Sequence, residues 1–147
     1  MKLKLKLFLP ILLLFSLCSF AQKEKWEKIK ALKVSYITTE LELTPQESEK
    51  FWPIYNVYES KQYQIRHNKM KPCIKRIDEV GLDKMSAKEA EAYLNKLEAA
   101  DRELFELREK LVTDLKPVIG AAKILKLKKA EEDFKQKLLE KYKQNKS

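Results

Sequence analysis

Glycine is almost missing from this chain: Gly81 and Gly120 are the only two among 147 residues. Sheets draw on glycine for their tight turns, so the shortage argues against a β-rich fold. Histidine occurs once, at position 67, and no glycine-rich phosphate loop is present. That leaves too little for nucleophilic or phosphoryl-transfer chemistry. Paired carboxylates are plentiful, but on helices this rich in glutamate they are solvated faces. No catalytic residue and no cofactor are therefore nominated. Cysteine is scarce too, with only Cys18 and Cys73. What the chain does have is charge, 36% of its residues, together with abundant Lys, Glu, Leu and Ala. That composition predicts an all-α fold of long helices.

The only long apolar run stands at the start. Lys2, Lys4 and Lys6 precede Phe8 to Leu17, and Ser19-Phe20-Ala21 offers small residues at the two positions a signal peptidase reads. About ten apolar residues cannot cross a hydrocarbon core that needs roughly 20. The expectation is a signal peptide over residues 1–21, cut before Gln22, and a periplasmic location. A retained anchor and a lipoprotein form through Cys18 are the alternatives, the latter disfavoured by bulky Leu17 beside the cysteine. Taking 21 residues from 147 leaves 126, one helical domain over 22–147. Losing three lysines from 31 basic residues leaves 28 against 22 acidic, a net of +6. Cys73 then has no intrachain partner and is either free or the bridge between two copies.

Periodicity places four amphipathic helices at about 24–41, 45–80, 86–115 and 118–143. In the first, Trp26, Ile29, Leu32, Val34, Ile37 and Leu41 recur every three or four residues. Thr44-Pro45-Gln46-Glu47 has the form of a capping box, with proline at the first helical position. Phe51, Ile54, Tyr55, Tyr58 and Ile65 then form the second stripe, and Pro72 is expected to kink it. Ser86 to Glu89 repeats the box ahead of a seam of Ala90, Tyr93, Leu97, Ala100, Leu104, Leu107 and Leu111. Leu94, Phe105 and Val112 are expected to widen that seam into a core. Lys116-Pro117 should end this helix, and the next starts from about Pro117 or Gly120. Ile124, Leu127, Ala130, Phe134 and Leu138 line the last one, flanked by Leu125 and Leu139. Short loops between long helices predict an elongated hairpin arrangement.

The segment Leu43, Thr44, Pro45, Gln46 and Glu47 resembles the LTxxQ signature of the Spy/CpxP family of periplasmic stress proteins. Glu47 stands where the signature has its glutamine. A second copy of the signature falls at Ile119-Gly120-Ala121-Ala122-Lys123, which keeps the place and almost none of the letters. Phe51-Trp52-Pro53-Ile54-Tyr55 and Lys129 to Phe134 resemble a Bacteroidetes branch described as sensors of extracytoplasmic-function sigma factors. The resemblance implies a four-helix hairpin that dimerises into a cradle. It also implies ATP-independent binding of unfolded or partly folded envelope proteins, or restraint of a membrane-bound stress sensor. Some relatives bind metals.

Three constellations are candidates for partner contact. Lys61, Arg66, Lys69, Lys71, Lys75 and Arg76 form a run with no acid, while Asp83 to Lys110 holds eight acids against six bases. Either the two stretches neutralise one another across a hairpin, or the basic run is left to attract clients. Anionic membrane headgroups would also suit it, whereas an exported protein rarely meets nucleic acid. Trp52 and Tyr63 lie off the aromatic stripe and are the better aromatic contacts for a partner. His67, Met70 and Cys73, at three-residue steps, would suit a soft metal ion on an unbroken helix. Pro72 disturbs that geometry, and the expectation is that no metal is bound, a metal sensor being the further alternative.

Overall fold

The computed structural model describes residues 27–144; the leader, Cys18 and Trp26 lie outside the described residues. Within them the chain is helical, with no strand. We label the first helix α1 (residues 27–40) and follow it with α2 (Pro45–Gln64). A π-helical segment (Ile65–Met70) leads into α3 (Lys71–Val80), and α4 (Ala87–Gln144), two helical stretches meeting at Gly120, completes the described chain. The chain divides into two compact units, residues 43–125 and residues 27–42 with 126–144.

Both capping boxes form. The Thr44 hydroxyl accepts from the Glu47 N–H at 3.2 Å, and the Glu47 carboxylate accepts from the Thr44 N–H at 2.8 Å. Ser86 and Glu89 repeat the exchange at 3.3 and 3.2 Å, starting α4 at Ala87. Each box satisfies two backbone donors that a helix start leaves without partners.

The 43–125 unit is an antiparallel pair, α2–π–α3 against α4. As partner positions on the first arm fall from Lys69 to Tyr58 to Glu47, those on α4 rise from Glu103 to Arg108 to Lys123. Phe51, Tyr55 and Tyr58 are buried from the first arm and Ala100, Leu111, Leu115 and Ile119 from the second. Phe51 stacks on Tyr55 at 5.2 Å and Tyr55 tilts against Tyr58 at 5.9 Å. Each such buried ring contributes roughly 2–3 kcal/mol by transfer from water. Around Cys73 and Ala100 both arms present small buried residues.

Pro72 does not end the second helix. The chain passes it by widening the preceding turn, so that the Lys71 N–H reaches back five residues to the Arg66 carbonyl. The extra residue has a consequence for packing. Ile65 and Cys73 are both buried although eight residues apart, where two ordinary turns would be about seven. The π segment absorbs the surplus and keeps the apolar stripe turned toward α4. Without it, the stripe of α3 would rotate out of the seam.

The expected end at Lys116-Pro117 is also corrected. Helix α4 continues through Pro117 and departs from helical geometry at Gly120, with φ 72° and ψ 166°. Side chains are strained there, so glycine places the break and proline does not. Gly81, at φ 79°, closes α3 in similar fashion.

In the other unit, α1 meets the end of α4. Leu41 and Ile37 are fully buried, as are Leu127 and Ala130. Tyr36 tilts against Phe134 at 5.7 Å, accepts from Lys137 Nζ at 3.2 Å and lies beneath that ammonium. Glu42 adopts a positive φ of 49° just after α1, the position where helices usually place glycine. Leu32, expected in the stripe, is exposed, as are the flanking residues Leu125 and Leu139.

Candidate binding face

The site worth building is on the 43–125 unit, where two helices packed along one seam leave two open edges. One edge is a groove of about 550 Å³, lined by Lys61, Gln64, Asn68 and Lys69 from the first arm and by Glu103, Glu106 and Lys110 from α4. Lys69 Nζ reaches both oxygens of Glu103 at 2.6 Å across it.

Helical spacing decides what the other edge carries. Ala100, Leu111 and Leu115 face the first arm, and Glu103, Glu106 and Lys110 take the groove side. Residues displaced the opposite way around α4 are Leu94, Asp101, Phe105 and Val112. On the first arm the same reasoning selects Trp52, Tyr63, His67 and Ile74. Phe105 stands between Glu103 and Arg108, whose partners are Lys69 and Tyr58, so it is level with the stretch holding Tyr63 and His67. This edge is open: Phe105 is 63% exposed, Leu94 57%, Tyr63 49% and Ile74 48%. Tyr63 and His67 stack face to face at 5.0 Å, a preformed flat surface beside them. Sequence reasoning assigned Leu94 and Phe105 to the core. That is corrected here: a two-helix seam has room for one stripe per helix, and these residues belong to the next stripe around.

Trp52 and Tyr63, expected at a surface, differ. Tyr63 is exposed, whereas Trp52 is half-buried and packs edge-on against Phe51 at 4.9 Å and Tyr55 at 5.7 Å.

Half of the basic run keeps its charge available. Only Lys69 is joined to an acid of α4. Lys75 and Arg76 lie 3.6 and 3.9 Å from Glu79 on their own helix. Lys61, Arg66 and Lys71 are exposed and have no ion pair among the described residues. Across the two arms Lys69 forms the direct ion pair, and Arg76 adds a longer-range attraction to Glu89 at the start of α4.

The metal candidates do not converge. Cys73 is a free, buried thiol in the seam, while His67 is exposed and stacked on Tyr63, so the two fall on different sides of the helix. The π segment between them destroys the spacing an ordinary helix would give. Among the described residues no group of His, Cys, Asp and Glu is placed to hold a metal. Burial also keeps Cys73 from reaching a second copy without opening the seam.

The segments around Glu47 and Lys123 meet. Lys123 Nζ lies 2.6 Å from Glu47 Oε2, joining the start of α2 to the segment just beyond Gly120. The Lys123 ammonium, then the Thr44 backbone N–H, hold the Glu47 carboxyl below its ordinary range. The Glu47 carboxylate makes this pairing ionic.

No protein-family model, curated protein or solved structure matches this chain. The functional reading therefore rests on the faces just described and on the residues that form them.

Proposed function

We infer that this chain is an exported, Spy/CpxP-like binding protein of the periplasm, its four helices pairing with those of a second copy. Its task is to hold unfolded or partly folded envelope proteins without consuming a nucleotide. The observation that carries this reading is the apolar edge of Tyr63, Ile74, Leu94 and Phe105, lying beside a helix with unpaired cations. Large apolar side chains left in water on one edge are a standing cost that contact with another apolar surface relieves. The cations act at longer range: they speed encounter with acidic segments, and the shallow apolar contact then holds them loosely. Loose, non-directional contact suits clients of varied sequence, whereas deep pockets would select one.

The test is suppression of aggregation of a reduced, unfolding model protein followed by light scattering. Protection at stoichiometric amounts, without ATP, is expected. A folded preparation that gives no protection in stoichiometric excess overturns the reading.

A further inference from the structure

The apolar edge accounts for Tyr63, Ile74, Leu94 and Phe105, but not for the cations of the helix that spans Lys61 to Arg76. This stretch covers the end of α2, the π segment and the start of α3. Its sixteen residues hold six cations, one histidine and no acid. All six cations are exposed, and Lys61, Arg66 and Lys71 have no ion pair among the described residues. An uncompensated cluster of this kind costs self-repulsion, and a polyanionic surface relieves it. Tyr63 and Ile74, both about half exposed, are interleaved with the cations. Cations alternating with an aromatic and a branched aliphatic side chain are the chemistry of a helix lying in the headgroup layer of a bilayer. None of the described helices is long and apolar enough to cross a membrane.

We propose that the helix from Lys61 to Arg76 docks the protein on an anionic phospholipid bilayer. Arg66, Lys71 and, from the groove side, Lys61 supply the attraction, and Tyr63 and Ile74 of the other edge enter the interface. Each cation near an anionic surface is worth roughly fivefold in affinity, so these three together contribute on the order of 100-fold. Surface charge attraction of this kind is screened by salt. The proposal shares Tyr63 and Ile74 with the edge assigned to client holding, but its attraction comes from the cations and it leaves Leu94 and Phe105 unused.

The experiment is co-sedimentation of the mature chain with vesicles of phosphatidylcholine alone or with about a third phosphatidylglycerol. Binding to the anionic vesicles at low salt is expected, lost in half-molar salt and absent with neutral vesicles. Replacing Lys61, Arg66 and Lys71 by glutamine should lower the affinity on the order of 100-fold. Replacing Lys128, Lys135 and Lys141 of the last helix should leave it within a few-fold. All six positions are exposed, and an unchanged helical circular dichroism signal confirms that each variant folds. Equal binding to neutral vesicles, an undiminished triple variant, or an equal loss from the last-helix control overturns the proposal. So does binding to a soluble acidic polypeptide with none to anionic vesicles, an outcome that would assign this helix to an acidic protein partner.

Discussion

Replacing Gly120 by alanine tests the backbone account of α4 most sharply. A Cβ built at this position meets nothing within 4 Å, so any cost comes from the backbone and not from a clash. With φ 72° and ψ 166°, the residue occupies a region that is essentially glycine's alone, at roughly 1–3 kcal/mol for any other side chain. Alanine recovers about 0.4–1 kcal/mol by narrowing the unfolded ensemble. The net loss is therefore about 1–2 kcal/mol, or some 3–10 °C in melting temperature for a chain this size. The mutant's other course is to let position 120 become helical. That would re-aim Lys123 and Ile124, losing the 2.6 Å ion pair to Glu47 and the burial of Ile124. Asparagine, which rescues left-handed helical positions, should not rescue this one, because ψ lies far from that region. Urea denaturation of the Gly, Ala and Asn forms is the assay. An alanine variant as stable as the parent, or an asparagine variant clearly better than alanine, would refute the reasoning.

Four further outcomes are expected. Thr44→Ala and Ser86→Ala should each cost about 1 kcal/mol in urea denaturation, since each removes a cap acceptor. Tyr58→Phe should cost about 1 kcal/mol, because its hydroxyl accepts from Gln62 Nε2 at 2.7 Å and Arg108 Nη1 at 3.3 Å. Glu47 has a folded pKa below its ordinary value of 4.5, so its stabilising effect is present above that value and disappears as pH falls through the lower folded one. The gap in urea midpoint between parent and Glu47→Gln should accordingly be widest near pH 7 and close under strong acid. Phe51→Ala should cost about 3–5 kcal/mol and Phe105→Ser under about 0.5, by thermal denaturation, because the first ring is fully buried and the second mostly in water.

Helix starts were legible because their signals are local. Thr44 with Glu47, and Ser86 with Glu89, act within one turn, and no tertiary contact needs to be known. The end of the third helix was misplaced at Lys116-Pro117 because such an end depends on competition. Pro72 and Pro117 are strong breakers in isolation, yet the chain stays helical at both, once with the help of a π turn. Gly120 yields instead, being the cheaper place to bend. The core was legible where spacing met a single seam, as at Phe51, Tyr55, Ala100 and Leu111. Leu94 and Phe105 carry the same apolar signal, but periodicity says only which residues share a face, not how many faces find a partner. The basic run was visible as composition; that only Lys69 is directly ion-paired from α4 depends on register, which the π segment shifts by one residue.

The central claim is that the edge around Phe105 is open and takes up unfolded chain. A photoreactive benzoyl-phenylalanine at Phe105, set against the same group at exposed Gln136 in the other unit, tests it most directly. With a reduced, unfolding model protein in excess, illumination should give abundant adducts from position 105 and few from 136. Equal yields from both positions, or none from 105 while aggregation is still suppressed, would contradict it.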